Sequence, residues 1–216
     1  YKSFWKEYGA VLKEGLYEDA ERKENLLDLC RFSTNENDEI ISLSSYLEKM
    51  PETQKDIYYI SAETRSQALA SPHLEGFKSK NIPILIMTDA IDQFWLPMIG
   101  SFKDKKFTSI TQGQINLDEL DEKNKDKKSD SKDQKEKQDK EFVNLIAQMK
   151  VVLGEQVKDI RLSSKLTDSP VCLVADDGDM DIAMEQLMAQ RDTNYKGAPR
   201  ILEINGDHSL IKNMKS

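Results

Sequence analysis

Cysteine is scarce in this chain of 216 residues, and its scarcity limits the metal chemistry that the sequence can support. The two cysteines, Cys30 and Cys172, lie far apart, and neither belongs to a Cys-x-x-Cys pair or a Cys/His cluster. A structural zinc site needs about four such ligands at close spacing, so we expect no metal. Isolated cysteines in an acidic chain are typical of a reducing compartment, and we expect a cytoplasmic protein.

Histidine and clustered glycine are also scarce, which argues against common catalytic sites. Only His73 and His208 are available as imidazoles, and His73 follows Ser71-Pro72 in a predicted first helical turn, where a polar surface role is the better interpretation. The nine glycines are scattered singly, without a G-x-x-x-x-G-K-[ST] or G-x-G-x-x-G phosphate loop. We therefore expect no nucleotide cofactor, and a small α/β enzyme is the least favoured function.

Long apolar runs are missing as well. No run reaches the roughly 18 residues of a membrane span, and the beginning of the chain does not resemble a signal peptide. The net charge of -8 argues against a dedicated nucleic-acid binder, which normally carries a basic face. The chain starts at Tyr1 inside a helix pattern, so we expect a piece of a longer protein that binds neither membrane nor nucleic acid.

Charge is concentrated in one segment, residues 118–140, in a chain that is 32% charged and only 38% hydrophobic. Leu120 is its single apolar residue, so it cannot bury enough surface to offset the entropy of ordering. We expect a solvated, flexible linker. A solvated helix with i,i+4 charge pairs is the alternative, and a binding tail is less favoured. The segment divides the chain into 1–117 and 141–216.

The first half begins with helix patterns and then alternates strands with helices. A first helix is predicted to stop at Gly15, and a later one is capped by Ser42 and closed by Pro51. The predicted apolar face of the first helix consists of Phe4, Tyr8, Val11 and Leu12. Strands are expected at 57–60, 82–87 and 107–110, with helices at 72–79 and 90–99 between them. This order predicts a small α/β sandwich with parallel crossovers.

The second half repeats the mixture of helices and strands. A strongly amphipathic helix is predicted to end at Gly154, and a further helix is expected over 179–190. Strands are expected at 157–162, 171–174 and 200–204. The predicted fold class is therefore α/β (α+β), with two small domains joined by the charged linker.

One acidic cluster is a candidate cation site. Paired carboxylates could hold calcium or magnesium, but the spacing does not match an EF-hand loop. The better interpretation is an acidic helix start, where carboxylates meet the positive end of the helix dipole. The cluster consists of Asp176, Asp177, Asp179, Asp181 and Glu185.

Methionines form a stripe on the helix predicted at 179–190. Met180, Met184, Leu187 and Met188 are spaced four, three and one apart, and therefore share one face. From the residues alone, packing against the core is the favoured interpretation. The alternative is an exposed surface, because flexible methionine side chains adapt to many partners.

A second apolar stretch lies in the helix predicted at 90–99. Phe94 and Met98 are four residues apart, and so are Trp95 and Ile99. One helix cannot easily bury both pairs, so we expect some aromatic surface to be exposed. Pro97 interrupts the helical hydrogen bonding at this point.

Seven short motifs occur in order along the chain, and together they resemble the ninety-kilodalton heat-shock chaperone family, in particular its bacterial members. The resemblance covers nearly everything except the charged linker. The motifs are YKSFWKEYGAVLKEG (1–15), LCRFS (29–33), IYYIS (57–61), SPHLE (71–75), ILIMTD (84–89), VKDIRLSSKLTDSP (157–170) and DHSLI (207–211).

The resemblance implies a domain assignment. Residues 1–117 would be the later part of the family's middle domain, with a helical connector at 1–51 and the α/β sandwich at 52–117. Residues 141–216 would be a C-terminal domain without its final dimerisation helices. The intact protein would be a homodimeric ATPase that uses ATP and magnesium and assists folding under stress. This piece would have no enzymatic activity and would be a monomer.

The resemblance also implies partners. The family binds partly folded client proteins, and other chaperones are possible partners. The matching positions are Gln93, Phe94, Trp95, Pro97, Met98, Met180, Met184, Leu187 and Met188. The family often has Trp at the position of Phe94, a polar residue at Pro97 and an aromatic at Met188, so whether Phe94 or Trp95 points outward is left open. The alternative function is a scaffold or partner-docking module without client binding.

Overall fold

The computed structural model describes residues 1–19, 21–120, 130–192 and 194–215, and has the predicted α/β (α+β) fold class. The chain divides into two compact units. The first unit comprises Tyr1–Ser71 and Asn81–Ile110, and the second comprises Pro72–Lys80 and Thr111–Ser216. The units are therefore discontinuous in sequence, unlike the predicted domains at 1–117 and 141–216. The assignment of segments to family domains stays a prediction.

Helices and strands alternate along most of the described chain. The helices are α1 (Lys2–Glu18), α2 (Lys23–Leu29), α3 (Leu43–Lys49), α4 (Arg65–Leu69), α5 (Glu75–Ser79), α6 (Asp92–Ile99), α7 (Asp130–Leu153), α8 (Ile182–Arg191) and α9 (Ser209–Lys215). The strands are β1 (Ser33–Thr34), β2 (Ile57–Ser61), β3 (Leu85–Met87), β4 (Ser101–Phe102), β5 (Lys105–Ser109), β6 (Val157–Leu162), β7 (Val171–Val174) and β8 (Arg200–Ile204). Among the described helices, none is both long and apolar enough to cross a membrane.

The first unit contains a five-stranded sheet in the order β1-β3-β2-β5-β4. Strand β2 pairs in parallel with β3 and β5, which confirms the predicted parallel crossovers. Strands β1 and β4 pair antiparallel at the two edges. All three residues of β3 are buried, as expected for a strand covered on both faces.

The first helix differs from its prediction. Helix α1 continues through Gly15, where it was predicted to stop, and ends at Glu18. The predicted cap of α3 is confirmed, because the Ser42 side chain accepts a hydrogen bond from the Ser45 N–H. Three residues of the predicted apolar face are exposed: Phe4, Tyr8 and Val11. The buried positions are instead Gly9, Lys13 and Leu16. The inward face is set by a buried lysine with distant acidic partners, which apolar periodicity does not reveal.

The second unit contains a three-stranded sheet in the order β6-β8-β7, with β6 parallel and β7 antiparallel to β8. The bounds of these strands coincide with the predicted ones. Helices α7 and α9 supply the apolar cover of this sheet. The core cluster consists of Phe142, Leu145, Ile160, Ile204 and Ile211.

The charged segment 118–140 is not one structural element. Leu117–Leu120 forms a short 3-10 helix, and residues 121–129 lie outside the described residues. Helix α7 begins at Asp130, so residues 130–140 are helical and continuous with the amphipathic helix that follows. The helical backbone of residues 130–140 agrees with the helix kept as an alternative, whereas the linker role of the segment stays a prediction.

Candidate functional site

The first candidate surface lies on α6, whose opposite side is fixed in the core. Trp95 is fully buried, and its indole N–H donates a 2.8 Å hydrogen bond to Oδ1 of Asp92. Its ring packs edge-on against Phe107 at 5.5 Å and tilted against Phe32 at 6.2 Å. Trp95 thus presents no side chain to solvent, and its inclusion among the client-binding residues was wrong.

The remaining α6 candidates form the α6 surface, defined as Gln93, Phe94, Pro97 and Met98. Met98 is 48% exposed, Pro97 is exposed, and Gln93 and Phe94 are half-buried. The Phe94 ring stands edge-on to Tyr17 of α1, with 6.4 Å between ring centroids. Phe94, not Trp95, is therefore the ring that reaches the surface.

A buried charge network anchors α6 to α1. Lys13 Nζ lies 2.8 Å from Oδ2 of Asp89 and 2.9 Å from Oδ1 of Asp92. The same ammonium lies 4.9 Å from the centre of the Phe32 ring. Burial alone would lower the pKa of Lys13, but the two carboxylates outweigh it and raise that pKa. Sequence reasoning missed this network, and the only available signal was the shared helical face of Lys13 and Leu16.

The second candidate surface lies on α8 and just before it. We define the α8 surface as Met180, Met184, Leu187 and Met188. Met180 is 40% exposed and the other three are half-buried. The core-facing interpretation that the residues alone favoured was therefore wrong for Met180, and each of the four keeps some contact with solvent.

Polar contacts help to fix the position of α8. Asp181 caps the helix by accepting a 2.9 Å hydrogen bond from the Ala183 N–H, so α8 begins three residues after the predicted start. Glu185 accepts a hydrogen bond from the Ala198 N–H and pairs with Arg200. Arg200 also donates to the carbonyl oxygen of Met180 at 2.8 Å. Every residue of α8 keeps partial exposure.

The acidic cluster around α8 has partners within the protein. Lys158 Nζ lies 2.8 Å from a carboxylate oxygen of Asp176 and 3.0 Å from one of Asp179. The hydrogen bond from Lys158 holds the pKa of Asp176 below its usual value. In the part of the chain that the structure describes, no group of three His, Cys, Asp or Glu side chains is placed to hold a metal ion. These contacts favour the interpretation as a polar helix start.

The contacts of the two histidines indicate structural roles for both. His73 is 8% exposed, so the predicted surface role was wrong. Burial, together with the charge of Lys165, lowers the pKa of His73 to about 4. His208 is half-buried, and its Nδ1 accepts a 3.1 Å hydrogen bond from the Leu210 N–H at the start of α9.

Comparison with known proteins gives a consistent family. Residues 1–216 match the family model described as Hsp90 protein. The chain is 41% identical to the chaperone protein HtpG of Roseobacter denitrificans, over 98% of this chain and 33% of the relative. It is 41% identical to that of Streptomyces coelicolor, over 99% and 33%, and 42% identical to that of Psychromonas ingrahamii, over 98% and 33%. The chain thus spans about a third of the length of these relatives.

Proposed function

The chain belongs to the Hsp90 protein family of molecular chaperones, and we propose that its part in protein folding is to bind partly folded clients through the α6 and α8 surfaces. The observation that carries this proposal is the incomplete burial of the methionine stripe on α8. An amphipathic helix whose apolar stripe served only the core would bury that stripe.

The α8 surface has side chains suited to varied clients. Its three methionines have flexible torsions and a polarisable sulfur, so they adapt to apolar groups of different shapes. Asp181 and Glu185 position the helix through polar contacts, and the methionines on it keep part of their surface exposed. Such a surface binds many apolar segments weakly instead of one tightly.

The α6 surface is more rigid, because Lys13, Asp92 and Trp95 fix the buried side of the same helix. Phe94 and Met98 offer an aromatic ring and a flexible apolar chain beside each other on that helix. Burying such groups against a client contributes about 25 cal/mol per Å² of apolar area. The net charge of -8 favours solubility of a chaperone that carries exposed apolar groups.

We infer the wider mechanism from the family. The intact protein would be a cytoplasmic, ATP-dependent homodimer that uses ATP and magnesium, with other chaperones as further partners. We assign no ATP-binding residue to this chain, since its sequence has no phosphate loop and the described residues offer no cluster of three metal-ligating side chains. The piece itself would act as a monomeric, non-enzymatic binding part.

The test uses the full-length protein and a client that aggregates on heating. Met184→Asp places a charge in the α8 surface, and we expect weaker suppression of client light scattering. Gln186→Asp is the matched control, because it adds the same side chain at an exposed position of the same helix. If Met184→Asp protects the client as well as Gln186→Asp, the assignment of the α8 surface is wrong. Saturable binding of one folded partner without affinity for unfolded chains would favour a docking module.

A further inference from the structure

The segment Pro72–Lys80 packs in the second unit, although the chain on both sides of it belongs to the first. It consists of a 3-10 helix, Pro72–Leu74, followed by the short helix α5. Its inward side chains are well covered, since Leu74 and Phe77 are fully buried. The segment is thus a part of the second unit's fold that arrives from a distant stretch of sequence.

The carboxylate of Glu75 fastens this segment. Oε2 of Glu75 accepts 2.8 Å hydrogen bonds from the backbone N–H groups of Thr167 and Asp168. The Ser169 N–H donates to both carboxylate oxygens at 3.1 Å, and the Ser169 hydroxyl donates to Oε1. Partial burial alone would raise the pKa of Glu75, but these hydrogen bonds outweigh it and lower that pKa. The loop therefore binds the ionised form.

The loop that binds Glu75 is held in shape from its other side. The side-chain amide of Asn205 donates to the carbonyl oxygens of Thr167 and Ser169, at 3.3 and 3.1 Å. The Asn205 N–H donates to the carbonyl oxygen of Pro170 at 2.8 Å. Asn205 is 4% exposed, so this support is buried. Three backbone donors and a hydroxyl are thereby preorganised for a carboxylate by contacts that do not involve Glu75.

The residue after Glu75 must be small. A Cβ atom at Gly76 would lie 2.6 Å from the carbonyl oxygen of Lys165 and 2.5 Å from Cδ1 of Leu117. The backbone of the segment therefore approaches the backbone of the second unit more closely than any other residue permits. The groove accepts an acidic residue, then glycine, then a buried aromatic ring at Phe77.

We propose that the second unit contains a docking site for an acidic-apolar segment, that Pro72–Lys80 is its occupant, and that the Glu75 carboxylate decides whether the site is occupied. Five hydrogen bonds hold one carboxylate at a half-buried position. The segment docks and leaves as one element, while the sheet β6-β8-β7 stays folded.

Hydrogen exchange of backbone amides, read by mass spectrometry on the full chain, tests the proposal. Glu75→Gln keeps the size of the side chain but replaces an accepting oxygen with a donating amide that faces three N–H groups. We expect roughly tenfold faster exchange in Pro72–Lys80 and at residues 167–169. Strand β8 should exchange as before, because local release does not open the sheet.

The control is Glu155→Gln, which changes an exposed carboxylate of the same unit and should alter neither segment. Ser169→Ala removes the hydroxyl donor alone, and a smaller acceleration in the same two segments is expected. Unchanged exchange of Pro72–Lys80 in Glu75→Gln would overturn the proposal. Equal acceleration of β8 would also overturn it, because the segment would then be an inseparable part of the core. Should Glu75→Gln not fold, Ser169→Ala decides by the same two criteria.

Discussion

Lys13 and Asp92 form a buried ion pair, with Nζ of Lys13 2.9 Å from Oδ1 of Asp92, although the two residues are 79 positions apart in sequence. Asp92 also accepts the indole N–H of Trp95, so an ammonium, a carboxylate and an indole share one network. A buried charge that loses its partner is expensive, whereas the intact pair adds little net stability. The ion pair therefore predicts a large loss of stability when one partner is removed.

Lys13→Met should destabilise the first unit by about 3–5 kcal/mol, because it leaves the carboxylate of Asp92 buried without its cation. Urea unfolding followed by tryptophan fluorescence measures this change, since Trp5 and Trp95 both belong to the first unit. Lys6→Met is the control, because Lys6 is an exposed residue of the same helix. Equal stability of the two variants would contradict the role given to the pair.

Lys165→Met should lower the free energy of unfolding by much less than Lys13→Met does, although Lys165 is only 1% exposed. Its Nζ lies 3.9 Å from Glu203, which keeps a 2.8 Å contact with Arg161 and a 2.8 Å hydrogen bond from the Ser163 hydroxyl. Burial lowers the pKa of Lys165, so keeping this side chain charged in the folded state costs free energy.

We expect a loss below about 2 kcal/mol for Lys165→Met, measured by urea unfolding with circular dichroism. A loss as large as that of Lys13→Met would show that Glu203 depends on Lys165 for its charge balance. Arg161→Met provides the matched comparison, because Arg161 makes the closer contacts with Glu203 and its removal should cost more.

Sequence patterns predicted those strands and helices that are specified by residues close together in sequence. The strands β7 and β8 coincide with their predicted bounds, because β-branched residues between turn signals specify a strand without distant partners. The inward face of α1 was predicted wrongly for the opposite reason. Its central residue, Lys13, is buried only because Asp89 and Asp92 arrive from far along the chain.

The candidate surfaces show the same difference between features specified by nearby residues and features set by distant contacts. The methionine stripe of α8 follows from helical spacing, and its partial exposure lies between the core interpretation and the exposed surface that the resemblance implies. Its role in client binding stays a prediction. Trp95 and His73 were misplaced because residues remote in sequence contribute to the surroundings of each: Phe32 packs against Trp95 in the first unit, and Lys165 lies near His73 in the second. The composition of a sequence and the spacing of its residues do not show which distant residues will come into contact.

His73 should make the second unit sensitive to acid. Its pKa is lowered from 6.5 to about 4 by burial and by the charge of Lys165, while a hydrogen bond with the Leu173 backbone and the charge of Glu75 act in the opposite direction. Below about pH 6.5 the unfolded chain binds a proton that the folded chain does not, so stability falls as pH falls towards 4. The expected loss from this group is about 3 kcal/mol across that window.

Urea unfolding with circular dichroism at about pH 7 and about pH 4.5 measures this dependence. His73→Gln should lose less stability on acidification than the native chain, because a neutral amide replaces the titrating ring. Identical pH profiles for the native chain and His73→Gln would exclude the buried, neutral imidazole.

Gly76→Ala should destabilise the second unit by about 1–3 kcal/mol, despite the better helix propensity of alanine. The new methyl group would meet the Lys165 carbonyl oxygen at 2.6 Å, and a backbone atom cannot turn aside as a side chain can. Gly178→Ala is the control, because a Cβ atom at Gly178 has no heavy atom within 4 Å. Thermal unfolding followed by circular dichroism compares the two variants. If the melting temperature of Gly76→Ala equals that of Gly178→Ala, the close approach of Pro72–Lys80 to the loop at Lys165 is not maintained in solution.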